Sequence, residues 1–416
     1  MSDFYQNGII TTLHDLAGRK IDDLEYELHC FSKIRPMSLL LPSLYSELQT
    51  EALPNIVNEL KKVSYLKEIV IGLDRANKEE FRHAVKFFGE LPQHHRILWN
   101  DGPRLLAIDK MLKEKGLAPQ QMGKGRNVWY CLGYIYASGK SESIALHDCD
   151  ITTYDRRLLA RLIYPVANPN FNYEFCKGYY ARTANGNMNG RVCRLLVTPL
   201  IRALKRVVNP TGKSTDYLDY MDSYRYSLAG EFSFRRDVIS DLRIPSDWGL
   251  EIGTLSEVHR NYANNRLCQV DISDNYDHKH QNLSLDNQEA GLSKMSIDIS
   301  KAFFRKLATQ GEVFSTEKFR TIKATYFRIA LDFIETYKND AIINGLQLDV
   351  HTEELAVEMF SKNLMQAGQE FLDKPMENPF IPSWNRVVSA VPDIFDQLKN
   401  AVEEDFKEYS ENLEGN

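Results

Sequence analysis

The chain is predicted to be an α/β protein: a mostly parallel sheet with helices on both faces, followed by a mainly helical C-terminal extension. Three observations predict this. Short apolar runs alternate with stretches of helical periodicity through roughly the first 150 residues, the pattern of strand–helix–strand crossovers. The runs are apolar without alternation, as in strands buried on both faces. After about residue 286 the strand signals stop, and apolar residues recur at three and four.

Residues 1–36 read as a helical arm with charged faces. Residues 37–42 read as a buried strand stopped by Pro42, and 48–62 as a helix carrying Leu53, Ile56, Val57 and Leu60 on one face. A second strand covers 69–74 and ends at Asp74; a helix covers 79–88. A third strand covers 96–99, a helix 127–137 and a fourth strand 143–146. Ligands of such sheets sit at the carboxyl ends of the strands. Pro42, Asp74 and the Asp148/Asp150 pair all fall there. Residues 151–289 mix strands, helices and loops. Residues 290–416 read as helical through Ala302-Phe303-Phe304, 326–334 and 357–371, and the acidic end, 403–416, is expected to fray.

The bulk numbers exclude several classes. With 416 residues there is room for one large domain with appendages, or for two. Apolar and charged fractions of 43% and 26% are those of an ordinary soluble protein. A net charge of -6 gives no broad basic footprint for nucleic acid, though a local basic groove remains open. No run approaches the ~20 apolar residues of a membrane span, and Met1-Ser2-Asp3-Phe4-Tyr5-Gln6 does not read as a signal peptide. The six cysteines are scattered without metal-ligand spacing, which suggests reduced thiols in the cytoplasm.

The segment His147-Asp148-Cys149-Asp150 closes the fourth strand with two carboxylates one residue apart. Residues i and i+2 of a strand share a face, so both can reach one point past the strand end. Such a pair suits Mg²⁺ or Mn²⁺ bound with a diphosphate; a surface turn is the bland alternative. Pro42-Ser43-Leu44-Tyr45-Ser46-Glu47 can wrap a base and ribose, or can simply cap a helix through Ser43 or Ser46. Asp74 can accept from a base N–H, or act as a cap. Gly123-Lys124-Gly125-Arg126-Asn127 places a cation at a helix start, where a diphosphate is favoured, or forms a solvated loop. Asn189-Gly190-Arg191-Val192-Cys193 offers N–H groups and a guanidinium to a phosphate or carboxylate, or is a surface turn. Glu251 sits between Gly249 and Gly253 in apolar surroundings, where a carboxylate needs a partner. His278, in Asp277-His278-Lys279-His280, can complete a metal site with Asp150.

Taken in order, these segments resemble the GT-A glycosyltransferases, whose fold is Rossmann-like. More narrowly they resemble the retaining family that contains glucosyl-3-phosphoglycerate synthase and mannosyl-transferring relatives. The resemblance runs from about Leu39 to Leu283. It rests on Leu41-Pro42-Ser43-Leu44-Tyr45-Ser46-Glu47, Gly123-Lys124-Gly125, Asp148-Cys149-Asp150, Gly190-Arg191-Val192, Ala229-Gly230-Glu231, Gly249-Leu250-Glu251-Ile252-Gly253 and Asp277-His278. It implies a nucleoside-diphosphate glucose donor such as UDP-glucose, a divalent cation (Mg²⁺ or Mn²⁺), 3-phosphoglycerate as acceptor, and a homodimer. It implies a nucleotide-binding half at 37–150 and an acceptor-binding half at 151–289. Pro42, Ser43, Leu44, Glu47, Asp74, Lys124 and Asp148 would line the nucleotide sugar. Asp150 and His278 would hold the metal. Gly190, Arg191, Val192, Cys193 and His280 would hold the acceptor. Glu251 would bind sugar hydroxyls and the Leu228 carbonyl would face the reacting centre; with Asp150 and Lys124 these two form the expected catalytic set. Four positions depart from the family pattern: Tyr45-Ser46 (before Glu47) replaces Asn-Glu, Tyr276 an arginine, and His280 an asparagine. A mannosyl donor or another acceptor such as glycerate, a nucleotidyltransferase, and a non-catalytic sugar-nucleotide scaffold are the competing readings.

Overall fold

A computed structural model describes residues 6, 8–16, 18–208, 212–246, 249–278, 291–375, 377 and 380–414. Its strands are β1 (Thr11–Leu13), β2 (Met37–Leu44), β3 (Leu66–Asp74), β4 (His95–Trp99), β5 (Ser143–Leu146), β6 (Phe175–Tyr180), β7 (Thr183–Ala184), β8 (Asn187–Met188), β9 (Phe232–Arg235) and β10 (Leu267–Ser273). The helices of the first part are α1 (Ile21–Phe31), α2 (Ala52–Leu60), α3 (Lys78–Phe88), α4 (Pro103–Glu114), α5 (Lys124–Ser138) and α6 (Arg156–Ala167). Then come α7 (Thr198–Val207), α8 (Gly212–Asp222), α9 (Val238–Asp241), α10 (Leu250–Asn261), α11 (Gly291–Thr309), α12 (Thr316–Ile343), α13 (Val350–Asp373), α14 (Trp384–Ala390) and α15 (Ile394–Glu414).

The main sheet has eight strands in the order β1-β10-β6-β9-β5-β2-β3-β4. Every pairing is parallel except those of β9, which runs antiparallel between β5 and β6. The apolar runs are buried on both faces, as their lack of alternation requires. In β2, Leu40 joins one core while Leu39 and Leu41 join the other, because successive side chains point to opposite faces. Helix starts are set by short polar caps. Asn77 and Glu80 form a reciprocal capping box on α3, and Asp155 accepts from the Arg157 N–H at the start of α6.

Three expectations change. Pro42 does not stop its strand: β2 runs through it to Leu44, paired with β3 alone beyond Leu40, where β5 has ended. The N-terminal segment read as a helical arm also supplies β1, which extends the sheet by pairing with β10; three residues are too few to show a period. The acidic end, expected to fray, is helical as far as Glu414, in α15. It packs on α3, α4, α5 and β4. Glu403 accepts from Arg96 at 2.7 Å and from the Tyr134 hydroxyl at 2.7 Å, Arg104 pairs with Asp405 and Glu408, and Tyr409 is buried against Phe81 and Trp99. An acidic sequence reveals its charge but not the arginines waiting for it three hundred residues away. The extension also grips α5 directly. Trp384 stacks on Trp129 with ring centroids 4.0 Å apart, and the Trp384 indole N–H donates to the Trp129 carbonyl. Among the described residues no helix is long and apolar enough to cross a membrane.

Candidate active site

Parallel register brings three strand ends together. Leu44 of β2 pairs with Asp74 of β3, and Leu40 with Leu146 of β5. The loops beyond them open into a cavity of about 600 Å³. Pro42, Ser43, Leu44, Glu47, Asp74, Lys124, Asp148, Asp150, Gly190, Arg191, Val192, Leu228, Glu251 and His278 all line it. Glu47 also does structural work, accepting from the Leu44 N–H at 3.1 Å and from the Ser43 hydroxyl at 3.3 Å, so the cap of this turn is the glutamate and not a serine. Asp74 is buried, and its Oδ1 has no hydrogen-bond partner among the described residues. A buried acceptor facing a cavity calls for a donor from a ligand.

Lys124 is the first residue of α5, so the helix N-terminus and the ammonium enter the cavity together. Its Nζ lies 2.6 Å from Asp148 Oδ1 and 3.5 Å from Glu251 Oε1. Gly230 lies against this pair: a Cβ there would sit 2.3 Å from Asp148 Oδ2. That contact explains the glycine of Ala229-Gly230-Glu231. Behind it the buried Glu231 accepts from the Tyr276 hydroxyl at 2.6 Å, and Lys177 donates to the Ala229 carbonyl.

The charges are mutually adjusted. Burial alone would neutralise Lys124 and Asp148. Each is held charged by the other, the lysine pKa raised (with help from Glu251) and the aspartate's lowered. Burial, and then Asp148, raises Asp150 to about 6 and Glu231 to about 7. Burial chiefly, then Asp150 and Asp148, raises Glu47 to about 7. These carboxylates crowd one place, so a cation arriving there is favoured.

Asp150 and His278 meet across a bridge between Ile151 and His278, with His278 Nδ1 3.8 Å from Asp150 Oδ2. Among the described residues no three His, Cys, Asp or Glu side chains are arranged to hold a metal. The pair therefore fits a hard cation that takes its other ligands from substrate oxygens and water, as Mg²⁺ commonly does. Lys279 and His280 lie outside the described residues, and with them the acceptor contact expected of His280.

The acceptor cradle is partly corrected. Gly190 has φ +76° and opens the turn, and its carbonyl accepts from the Arg194 N–H at 3.0 Å, so the backbone coils from Arg191 onward. Residues 192–197 form a π-helical turn, a feature frequent at functional sites. In such a coil successive side chains rotate by about 100°, so four consecutive residues cannot share a face. Cys193 is buried at 4% exposure and does not line the cavity. Arg194 lines it instead. Arg182 and Tyr226 also line the cavity and were not anticipated. Arg182 Nη2 lies 3.5 Å from His278 Nδ1 and Nη1 lies 3.5 Å from the Tyr226 hydroxyl. Arg194 had a signal, its i+3 spacing from Arg191. Arg182 stands in an unremarked loop and had none.

A doubly wound sheet with its ligand cavity at the strand ends, an aspartate pair and a lysine at a helix start define the class: an α/β transferase of GT-A architecture for nucleotide-activated sugars. The glucosyl-3-phosphoglycerate synthase of Persephonella marina is 48% identical over 97% of this chain and 99% of its own length. That of Methanococcoides burtonii is 39% identical over 98% and 99%. The chain belongs to the glucosyl-3-phosphoglycerate synthase family. Among solved structures, the Mycobacterium tuberculosis glucosyl-3-phosphoglycerate synthase in complex with Mn²⁺, UDP-glucose and phosphoglyceric acid has the same fold, with a TM-score of 0.52 at 19% identity over 71% of this chain and 87% of that one. No family model matches the chain.

Proposed function

We propose that the protein transfers glucose from a nucleoside-diphosphate glucose, such as UDP-glucose, to 3-phosphoglycerate with retention at the anomeric carbon. The product, glucosyl-3-phosphoglycerate, is the precursor of the compatible solute glucosylglycerate. The observation that carries this is a single cavity in which the Asp148–Lys124–Glu251 group and Asp150–His278 share walls with Arg182, Arg191 and Arg194. One part suits a sugar diphosphate with its cation, the other a small anion. In this reading residues 37–150 hold the nucleotide and 151–289 the acceptor, and the enzyme works as a cytoplasmic homodimer.

Asp150 and His278 would hold Mg²⁺ or Mn²⁺, which when bound neutralises charge developing on the departing diphosphate. Lys124 adds a fixed positive charge to the same oxygens, already oriented by Asp148. Pro42, Leu44, Glu47 and Asp74 seat the base and ribose. Glu251 accepts from sugar hydroxyls beside the Leu228 segment. The two carboxylates assigned to the sugar-diphosphate side, Asp148 and Glu251, are both engaged by Lys124. We therefore assign attack to the acceptor hydroxyl from the front face, with a leaving phosphate oxygen taking its proton.

Because a metal binds the ionised carboxylate, protons compete with it on Asp150. The apparent Mn²⁺ affinity is expected to fall about tenfold per pH unit below about 6 and to level off above it. Calorimetric titration at acidic and neutral pH checks this, and a flat affinity would remove Asp150 from the ligand set. Arg191→Ala is expected to raise the acceptor KM by roughly 10- to 100-fold, one charge-assisted contact, with little change in the donor KM. The reading as a whole is tested by a donor-by-acceptor activity matrix, with and without EDTA. Glucosyl transfer to 3-phosphoglycerate should dominate. Preference for a mannosyl donor, or for glycerate, would replace it.

A further inference from the structure

The C-terminal extension reaches the arginine side of the cavity through one buried carboxylate. Glu353 lies in the first turn of α13, whose start is capped by Asp349. Its side chain is 2% exposed and does not line the cavity. Oε1 accepts from Arg191 Nε at 2.7 Å, and Oε2 accepts from Arg194 Nη1 at 2.8 Å. Arg194 in turn donates to the Asn189 carbonyl at 2.8 Å and the Met188 carbonyl at 3.4 Å. The backbone repeats the attachment. The Met188 N–H donates to the Gln347 carbonyl at 3.1 Å, and the Gln347 N–H to the Gly186 carbonyl at 2.7 Å. The loop that opens the anion cradle is thus fastened to the extension on both sides of its tip.

Two guanidinium groups this close repel each other, and neither plane is fixed by charge alone. A carboxylate that spans both sets the two planes at once. Phosphate and carboxylate recognition by arginine depends on that orientation, because paired parallel hydrogen bonds need a coplanar fork. We propose that Glu353 is a positioning residue: it presents Arg191 and Arg194 to the acceptor anion without touching it. This rests on the acceptor role assigned to Arg191 above.

The role can be told from simple electrostatics by the sign of one effect. Glu353→Gln keeps the volume and one carbonyl oxygen but removes a negative charge near the anion. If Glu353 mattered only through its charge, the acceptor KM would fall. Positioning predicts that it rises, by at least tenfold, with the donor KM within twofold of wild type. Placed on Arg191→Ala, Glu353→Gln should raise the acceptor KM by a smaller factor than it does in the wild type, since only Arg194 is then left for it to orient. An acceptor KM that falls or is unchanged overturns the proposal. So do parallel losses of donor and acceptor binding, or loss of the folded protein, which would make Glu353 a residue of the fold alone. Absence of transfer in the wild type refutes the assigned activity; an active wild type with an unaffected Glu353→Gln refutes only the positioning role.

Discussion

Asp150→Ala is expected to lose at least about a thousandfold in transfer rate at saturating Mg²⁺ or Mn²⁺, equivalent to ~4 kcal/mol of transition-state stabilisation. The reason is arithmetic as much as position. In the proposed site Asp150 and His278 would hold the cation from the protein side, so removing Asp150 would leave a single neutral ligand. The variant should nevertheless fold well. Asp150 is forced up to about 6 by burial and by Asp148, which means its charge is unfavourable in the metal-free protein. Deleting it removes that repulsion, so the metal-free melting temperature should hold or rise while the increment added by Mn²⁺ disappears. Steady-state rates and thermal melts with and without metal check both halves. Full activity in the variant would end the metal assignment.

Lys124→Met carries the second large effect, and here stability and rate fall together. The ammonium is the shared partner of Asp148 at 2.6 Å and Glu251 at 3.5 Å. Removing one partner of a buried pair strands the other charge, which can cost about 3–5 kcal/mol. With these side chains 13–32% exposed, solvent reduces this to roughly 1–3 kcal/mol. The rate should fall about 100- to 1,000-fold, as when a preorganised charge facing a leaving group is lost. The pH dependence follows from Asp148, whose pKa is lowered in the folded protein. Stability from such a group is present above its unfolded pKa and lost as pH falls through the folded one. The gap between wild type and variant should therefore be widest near neutrality and shrink below the carboxylate range. Chemical denaturation across pH reads this directly, and a gap independent of pH would reject the pair as its origin.

Much of the donor side was legible because a strand delivers its functional residues in one contiguous piece. Pro42 and Asp74 lie in the last residues of their strands, Glu47, Asp148 and Asp150 just beyond theirs, and parallel pairing brings those ends together. Lys124 was readable for the same reason, from glycines before a helix. The arginine side was legible only in part. Arg191 could be read from the glycine before it, but the residue one turn on that lines the cavity with it is Arg194, while Cys193 beside it does not. Arg182 and Tyr226 come from separate segments that meet only in space. Glu353 is 162 residues from Arg191, and nothing in its surroundings distinguishes it from any other acid in a helix's first turn. The fate of the acidic C-terminus was hidden likewise, since sequence shows charge but not its counter-charges.

The return of α15 to the first half of the chain has a consequence for how the protein is made. Glu403 and Asp405 close contacts with residues 307 and 301 positions earlier, and Trp384 packs on Trp129, in the helix that begins with Lys124. A ribosome adding about 5–20 residues per second synthesises Arg96 and Arg104 many seconds before their partners. Through that interval one flank of the first half, with Phe81 and Trp99, lacks its cover. Contacts of such high sequence separation slow folding. The helix bearing Lys124 acquires this support only after Trp384 and α15 have emerged, so a polypeptide stalled before them holds the residues that line the cavity without the packing that sets them.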